Sequence, residues 1–264
     1  MRIGTWNVCG FRGYSGTGAR PDLSSVEDWV RVLARLDCDV LALQEVGLDQ
    51  NWLGRVAARL GLQASFLSSP VRWPAAILSR LPIRDRGGLL LDDLVNVEPS
   101  EEGPFSRSAG TALIELGARA DLWVVSLHAH PHDATMRERE AEVLSDRLRE
   151  MDVRDEFVAV VGDFNCEPPE SFHRRLHELG FQNAFVSGRT PRTRLQDRDQ
   201  VAIDHIYLSS SLRPALLGEA RAVAQTGFAP RGGEGWAYSD HLPVVVDLDR
   251  GACRARCGLS RGPI

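Results

Sequence analysis

Lysine is absent from the sequence, so all 31 basic residues among the 264 are arginines. We attribute this absence to a compositional bias of the genome. It still excludes catalysis through a lysine Schiff base or a lysine nucleophile, because both need a primary side-chain amine. The net charge of −5 and the isoelectric point of about 5.8 differ from those of strongly basic nucleic-acid binders, which lie above ~9. A nuclease is not excluded, because the local field at a cleft matters more than the summed charge.

Cysteine is scarce, and long apolar segments are missing. The five cysteines are odd in number and irregularly spaced, which does not fit a disulfide framework or the usual four-ligand zinc site. No apolar run approaches the ~20 residues of a membrane-spanning helix. The first residues, MRIGTWNV, are typical of a β-strand rather than of a signal peptide. We therefore expect a reduced, cytoplasmic protein with no membrane association and no obligate protein partner.

The remaining composition is that of an ordinary globular protein, with 43% hydrophobic and 25% charged residues. No repeat or long linker divides the chain, so we expect one domain over residues 1–249 and a short tail over 250–264. Apolar periodicity predicts helices at 24–36, 50–60, 134–151 and 169–179. Strands are predicted at 3–8, 38–46, 62–68, 75–80, 87–97, 109–117, 120–127, 157–161, 202–208 and 242–248, with one or two more between 212 and 225. This pattern favours an α/β fold in which two packed sheets have helices outside.

Polar side chains stand at the ends of several otherwise apolar strands. Ligands and catalytic groups usually gather where strand ends meet loops. Each such residue alone is consistent with an ordinary turn, but their repetition on core strands favours a shared site. They are Asn7, Gln44, Glu45, His128, Asp163, Asn165, Asp204, His205, Asp240 and His241.

The types of these residues indicate one kind of chemistry. Carboxylate and amide oxygens are hard ligands suited to Mg²⁺ or Mn²⁺. His128 and His241 can move a proton near neutral pH, and Asp204 could orient a histidine. The sequence has no nucleophile elbow, P-loop or dinucleotide fingerprint. Metal-assisted hydrolysis of a phosphate ester is therefore the reaction class that we favour.

The other histidines favour structural interpretations. Side chains alternate along a strand, so His205 is expected to point away from the face of Asp204. His173 and His177 are four residues apart on a predicted helix. Because no carboxylate completes an HExxH frame, we interpret this pair as part of a solvated helix face rather than as metal ligands.

Six ordered blocks of sequence resemble the endonuclease/exonuclease/phosphatase superfamily, the metal-dependent phosphoesterases around deoxyribonuclease I and exonuclease III. The resemblance covers essentially the whole predicted domain and implies a four-layer α/β sandwich, in which two central, mostly antiparallel β-sheets are flanked by helices. The blocks are TWNV (5–8), LQEV (43–46), AILSRLPI (76–83), GDFNCEP (162–168), IDHIY (203–207) and SDHLPV (239–244).

The resemblance also implies a metal site. Glu45 is expected to be the main Mg²⁺ ligand, and Mn²⁺ is expected to substitute. Asn7 is expected to support the metal and to contact a phosphate oxygen of the substrate. Asp240 is expected to be a further metal ligand or to lie directly behind the ligands.

Catalytic roles follow from the same blocks. Asp163 and Asn165 are expected to position the attacking water and the phosphate. His241 is expected to contact the scissile phosphate, with Asp204 as its carboxylate partner. We assign activation of the water to Asp163 and His241 together. His128 resembles a second histidine of the deoxyribonuclease I branch that protonates or stabilises the leaving oxygen.

The chain departs from that branch near His128. In deoxyribonuclease I a carboxylate before the AILSR-like strand supports the second histidine, whereas this chain has Trp73 and Pro74 and no acid there. We therefore expect His128 to lack a carboxylate partner.

Residues that select the substrate are expected in loops. Arg192 and Arg194 belong to an arginine-rich loop that could hold phosphates, and Trp236 could stack on a base or sugar. A solvated loop and packing beneath a loop are the competing interpretations. The sequence thus predicts a Mg²⁺-dependent phosphoesterase acting on nucleic acid. The alternatives are a phosphatase for a small phosphomonoester or inositol phosphate, a catalytically silent binding relative, and a structural domain that Mg²⁺ merely stabilises.

Overall fold

The computed structural model describes residues 1–15, 25–84, 105–117, 120–151, 156–185, 191–195, 202–225, 227–229 and 236–253. The α-helices in these ranges are α1 (Val26–Ala34), α2 (Gln50–Arg59), α3 (Ala134–Glu150) and α4 (Ser171–Glu178). The strands are β1 (Arg2–Asn7), β2 (Tyr14–Ser15), β3 (Val40–Gln44), β4 (Gln63–Leu67), β5 (Ala75–Ser79), β6 (Ile83–Arg84), β7 (Ser108–Gly117), β8 (Ala120–His128), β9 (Phe157–Asp163), β10 (Gln182–Asn183), β11 (Asp204–Leu208), β12 (Arg221–Ala222), β13 (Trp236–Ala237) and β14 (Val244–Asp247).

Two six-stranded sheets form the centre of the fold. The first has the order β12–β14–β1–β3–β5–β4 and the second the order β10–β11–β9–β8–β7–β6, while β2 and β13 pair with each other. Each large sheet has one parallel pair, β1–β3 in the first and β8–β9 in the second, and its other pairs are antiparallel. The prediction of two mostly antiparallel sheets is confirmed.

The two sheets pack face to face around a hydrophobic core. Ile3, Val40 and Ile77 of the first sheet share a buried cluster with Val124 and Ile206 of the second. Helices α1 and α2 cover the outer face of the first sheet, and α3 and α4 cover that of the second. The central strands are buried on both faces, which is why their sequences are continuous apolar runs rather than alternating ones. The layers are those of the predicted four-layer α/β sandwich.

Helix starts follow from capping side chains. Ser25, Asp49 and Asp133 each accept a backbone N–H bond at the start of α1, α2 and α3, respectively. Such bonds satisfy donors that the first helical turn leaves without a partner. Helix α2 is followed by Gly61 in the left-handed conformation, at φ +69°, which is typical of a helix C-terminus.

One interpretation of α4 was wrong. His177 is exposed, but His173 is buried at 1% exposure on the face that also carries Phe172 and Leu176. Its Nδ1 lies 2.7 Å from the hydroxyl of Tyr207, and its Nε2 lies 3.2 Å from a backbone carbonyl. His173 is therefore part of a buried polar network and not of a solvated face.

Other differences concern short or peripheral segments. The predicted strand at 87–97 lies outside the described residues. Between 212 and 225 the structure has the two-residue strand β12 and a 3₁₀ turn. At the start of the predicted tail, Arg250 donates two hydrogen bonds to the carbonyl of Leu116, and Cys253 is buried in the core between the sheets. Within the described ranges, no helix combines the length and the apolar character needed to cross a membrane.

Candidate active site

Strand register gathers the predicted residues at one edge of the two sheets. In the first sheet Asn7 lies opposite Gln44, so Glu45 follows directly beyond the end of β3. In the second sheet Asp163 lies between His128 and Asp204 on its two neighbouring strands. Because the sheets face each other, these strand ends form a single cluster.

The Asn7 side chain joins the two halves of this cluster. Its Nδ2 atom donates a hydrogen bond of 3.0 Å to Glu45 Oε1 and another of 3.0 Å to Asp163 Oδ2. Its Oδ1 atom accepts the backbone N–H of Cys9 at 3.0 Å. Asn7 therefore holds a carboxylate from each sheet against the other.

His241 forms the second connection. Its Nδ1 lies 2.9 Å from Asp204 Oδ2, and its Nε2 lies 3.8 Å from Asp163 Oδ2. Burial disfavours the charged imidazolium, but the negative charges of Asp204 and Asp163 outweigh this and raise the pKa of His241 to about 10. For Asp163, burial disfavours the charged carboxylate and therefore raises its pKa. The structure thus pairs an imidazolium with a buried carboxylate and brings the predicted partners together.

His128 has a different environment. Its Nε2 lies 3.7 Å from Glu45 Oε1 and 3.6 Å from Asp163 Oδ2. Its Nδ1 is buried and has no hydrogen-bond partner among the described residues. Burial lowers the pKa of His128 to about 4, so the ring is neutral near pH 7. Two carboxylates thus lie near Nε2, and none of the described residues bonds to Nδ1.

Asn165 and Glu45 occupy unusual backbone conformations. Their φ angles are +49° and +57°, in the left-handed region that residues other than glycine rarely adopt. Asn165 donates its backbone N–H to Asp163 Oδ1 at 2.9 Å and its Nδ2 to the carbonyl of Ala129 at 2.9 Å. Such conformations persist where the surrounding structure fixes them, and they concentrate at functional sites.

Asp240 lies beside the cluster, at 8% exposure. Its negative charge is one of the smaller effects that raise the pKa of Glu45, after burial. Burial, with Asp240 as the next contribution, also raises the pKa of the Cys9 thiol to about 12, so this thiol is protonated. Asp240 is thus within electrostatic reach of the predicted metal ligand.

Two hydroxyl groups that support the site were not predicted. Ser239 donates its Oγ–H to the carbonyl of Asn7 at 2.6 Å and accepts the backbone N–H of His241 at 3.2 Å. Thr193 Oγ1 accepts the N–H groups of Ile203 and Asp204, at 3.0 Å and 3.1 Å. Both residues lie within sequence segments that we had singled out, but for other residues.

The predicted substrate-binding residues are placed differently from one another. Arg192 donates from Nε to the carbonyl of Arg194 at 2.6 Å and from Nη2 to that of Leu195, so its guanidinium holds its own loop. Arg194 pairs through its backbone with His241, which places it next to the cluster at the strand ends. Trp236 packs edge-on against Tyr238, with 5.5 Å between ring centroids. Arg107 stacks over Trp73 at 5.0 Å and contributes to the lowered pKa of His128.

The donor set fits a hard divalent cation. Asn7 holds the carboxylates of Glu45 and Asp163 on one amide. Burial raises the pKa of both carboxylates, and a bound cation would relieve this cost of burying charge. A second grouping, Asp163, Asp204 and His241, has potential ligand atoms within 4.8 Å of one another. We favour the Glu45 side, because Asp204 and His241 already bond to each other.

Comparisons with known proteins give a consistent fold. The model of the Endonuclease/Exonuclease/phosphatase family matches residues 4–241. No curated protein sequence matches the chain. A solved 3′ phosphatase from Neisseria, bound to a product DNA hairpin, is 20% identical with a TM-score of 0.69, covering 94% of this chain and 99% of that chain.

Two further solved structures have TM-scores in the same range. An AP endonuclease from Archaeoglobus fulgidus is 20% identical with a TM-score of 0.68, and a mannosyl-6-phosphatase from Bacteroides thetaiotaomicron is 16% identical with a TM-score of 0.67. Each alignment covers 94% of this chain and 99% of the other. At these identities the similarity establishes the fold.

Proposed function

Because the chain belongs to the Endonuclease/Exonuclease/phosphatase family of hydrolytic phosphoesterases, we propose that it is a Mg²⁺-dependent phosphodiesterase that acts on nucleic acid. The observation that carries the proposal is the single cluster in which Asn7 links Glu45 to Asp163, and in which His241 lies against both Asp163 and Asp204. This cluster supplies a cation site, a proton acceptor and a proton donor around one point.

Asp163 is the proton acceptor in this proposal. Its burial raises the basicity of the carboxylate, and its Oδ2 faces both His128 and His241. A water molecule beside Asp163 would lose its proton to the carboxylate as its oxygen attacks phosphorus in line. The bond between phosphorus and the leaving oxygen breaks, the leaving oxygen takes up a proton from solvent water, and Asp163 returns the proton it received to solvent.

His241 acts as a charged donor to the phosphate. With a pKa of about 10 its ring carries a proton on both nitrogens near pH 7. Asp204 holds the Nδ1 side at 2.9 Å, so Nε2–H remains available to the non-bridging phosphate oxygens. A fixed positive donor stabilises the charge that develops in the transition state.

Glu45 is the residue that would hold Mg²⁺, with Asn7 and Asp240 beside it. When bound, the cation would neutralise negative charge on the phosphoryl oxygens. Mn²⁺ has similar ligand preferences and should substitute. His128, which is neutral, would donate a hydrogen bond from Nε2 to the leaving side without carrying charge.

The substrate class is inferred from the surroundings of the cluster and from the shared fold. Support for nucleic acid comes from Arg194 beside His241 and from the fold shared with a phosphatase bound to DNA and with an AP endonuclease. A second candidate is a small phosphomonoester, which the shared fold of the mannosyl-6-phosphatase supports.

A substrate panel tests the proposal. Plasmid DNA, single-stranded DNA, RNA, an inositol phosphate and mannose 6-phosphate would be incubated with Mg²⁺, Mn²⁺ or EDTA, beside a Glu45→Ala protein that controls for contaminating enzymes. We expect metal-dependent cleavage of a nucleic acid that EDTA and Glu45→Ala abolish. Release of phosphate from the monoesters alone would replace the first candidate by the second.

A further inference from the structure

A cavity of about 290 Å³ lies beside Glu45, outside the catalytic cluster. Gly10 and Phe11 from the loop after β1, residues 46–49 from the loop after β3, and Trp52 of α2 line it. The N–H of Gly10 donates to the carbonyl of Glu45 at 2.8 Å. The cavity therefore shares a wall with the backbone of the residue whose carboxylate faces the catalytic centre.

Two aromatic side chains belong to the lining. The ring of Phe11 lies 4.8 Å from that of Trp52 and 4.7 Å from that of Trp29, measured between centroids. Trp29 is fully buried, so Phe11 packs between the core and Trp52. Partly exposed aromatic faces held in this way are typical platforms for a planar ring.

The charge of the lining disfavours a second phosphate. None of the lining residues is basic, and the single ionisable one is Asp49, whose carboxylate accepts the N–H of Trp52 at 2.9 Å. A carboxylate in the wall repels an anion but accepts hydrogen bonds from N–H groups. The volume is at the small end of ligand pockets, which suits one ring system.

Exposed apolar side chains concentrate around the same edge. Among the described residues four large hydrophobic side chains are exposed, and three of them, Leu48, Val71 and Trp73, lie in two adjoining loops. The N–H of Val46 donates to the carbonyl of Pro74 and joins these loops beside Glu45. Apolar surface kept in contact with water at one edge is typical of a binding site.

From these observations we infer that the cavity lined by Phe11 and Trp52 binds the nucleobase of the nucleotide whose phosphate is cleaved at Glu45. The inference rests on the proposed function and narrows it. A nucleotide ester offers a planar ring with N–H groups next to a single scissile phosphate. A sugar or inositol that carries several phosphates offers anions to a wall without a cation.

Two model esters separate base recognition from catalysis. Both thymidine 5′-(4-nitrophenyl phosphate) and methyl 4-nitrophenyl phosphate release 4-nitrophenolate, but only the first carries a base. We expect wild-type kcat/KM to be at least ~10-fold higher for the thymidine ester, mainly through a lower KM, which is the usual size of one stacking contact.

Variants then assign the preference to the cavity. Leu48→Asp places an anion at the mouth, and Leu48 is 58% exposed, so the fold should tolerate the change. Trp52→Ala removes one platform. Both should bring the ratio of the two kcat/KM values close to 1. The matched control is Leu217→Asp, because Leu217 is 60% exposed. Its N–H donates to the carbonyl of Asp247, at the end of β14 that is farther along the chain from His241.

The outcomes distinguish the inference from the proposed function. Equal kcat/KM values for both esters in the wild type, or an unchanged ratio in Leu48→Asp, overturn the inference and leave the phosphodiesterase in place. If Trp52→Ala does not fold, Leu48→Asp alone decides. Failure to hydrolyse either ester with Mg²⁺ or Mn²⁺ overturns the proposed function and the inference with it.

Discussion

At the scale of single residues, the site depends on the buried ion pair between His241 and Asp204. His241 carries a proton because Asp204 and Asp163 surround it, and neither carboxylate is exposed by more than 1%. The same pair was predicted from two separate sequence blocks. The protonation state of His241 could not be predicted from the sequence, because the pKa of a histidine depends on all the charges that the fold brings near it.

Replacing His241 by Ala should lower kcat by ~10²-fold or more, the usual contribution of a fixed donor that stabilises charge in the transition state. Asp204→Asn should also lower kcat, because His241 loses the charge that keeps it protonated. The measurement is Mg²⁺-dependent hydrolysis of bis(4-nitrophenyl) phosphate by purified variants whose circular dichroism matches the wild type. His177→Ala, on the exposed face of α4, is the control. Full activity of His241→Ala would remove His241 from the mechanism.

At the scale of secondary-structure elements, strand register carries the site. Asp163 stands between His128 and Asp204 only because β9 pairs with β8 and β11 in one register. Gly162 makes this close pairing possible: its φ is +148°, and a Cβ atom there would lie 1.9 Å from the carbonyl oxygen of Leu127. A residue with a side chain cannot occupy this position without separating the strands.

We therefore expect Gly162→Ala to lower the free energy of unfolding by about 2 kcal/mol or more, the size of a strong backbone clash, and to reduce activity together with stability. Urea unfolding followed by circular dichroism measures the first effect. The matched control is Gly54→Ala in α2, where a Cβ atom meets nothing within 4 Å. That change should stabilise the protein by up to about 1 kcal/mol. Equal stability of the two variants would contradict this account.

Elements also show what sequence could and could not predict. The long helices and the apolar strands were predictable because periodicity and capping are local. The two-residue strands β6, β10 and β13 were not, since their pairing depends on distant partners. The prediction for His173 was wrong because it rested on the spacing from His177. His173 lies three residues from Leu176, on the apolar face of α4. Ser239 and Thr193 act through backbone groups, which no residue pattern marks.

At the scale of the whole molecule, folding and catalysis share the contact between the two sheets. The bond from Asn7 to Asp163 joins residues 156 positions apart and crosses the sandwich. Gln44 and Ser126 make a second polar bond across the same core, at 3.2 Å. The site is therefore complete only when both sheets are packed. The residues of the site could be predicted from the sequence, but their contact across the two sheets could not.

The buried histidines also affect the whole molecule. Burial lowers the pKa of His173 to about 4 and that of His205 to about 3, so both are neutral in the folded protein. In the unfolded chain each takes up a proton below its ordinary pKa, ~6.5. The unfolded state then binds more protons than the folded state, so the free energy of unfolding falls as the pH falls through this range.

We predict a loss of about 2 kcal/mol for each of His173 and His205 between about pH 7 and about pH 5. Urea unfolding at several pH values measures this slope. His173→Gln should make the slope shallower, because glutamine does not titrate, while His177→Gln should leave it unchanged. A wild-type slope equal to that of His173→Gln would show that His173 does not resist protonation.

The central claim is that Glu45 and its neighbours form a cation-dependent phosphoesterase centre. The most direct test follows hydrolysis of one diester, thymidine 5′-(4-nitrophenyl phosphate), as a function of Mg²⁺ concentration for the wild type and Glu45→Gln. We predict saturable activation of the wild type and, for Glu45→Gln, a much weaker response to Mg²⁺ with kcat lower by ~10²-fold. Identical Mg²⁺ dependence and turnover in the two proteins would contradict the claim.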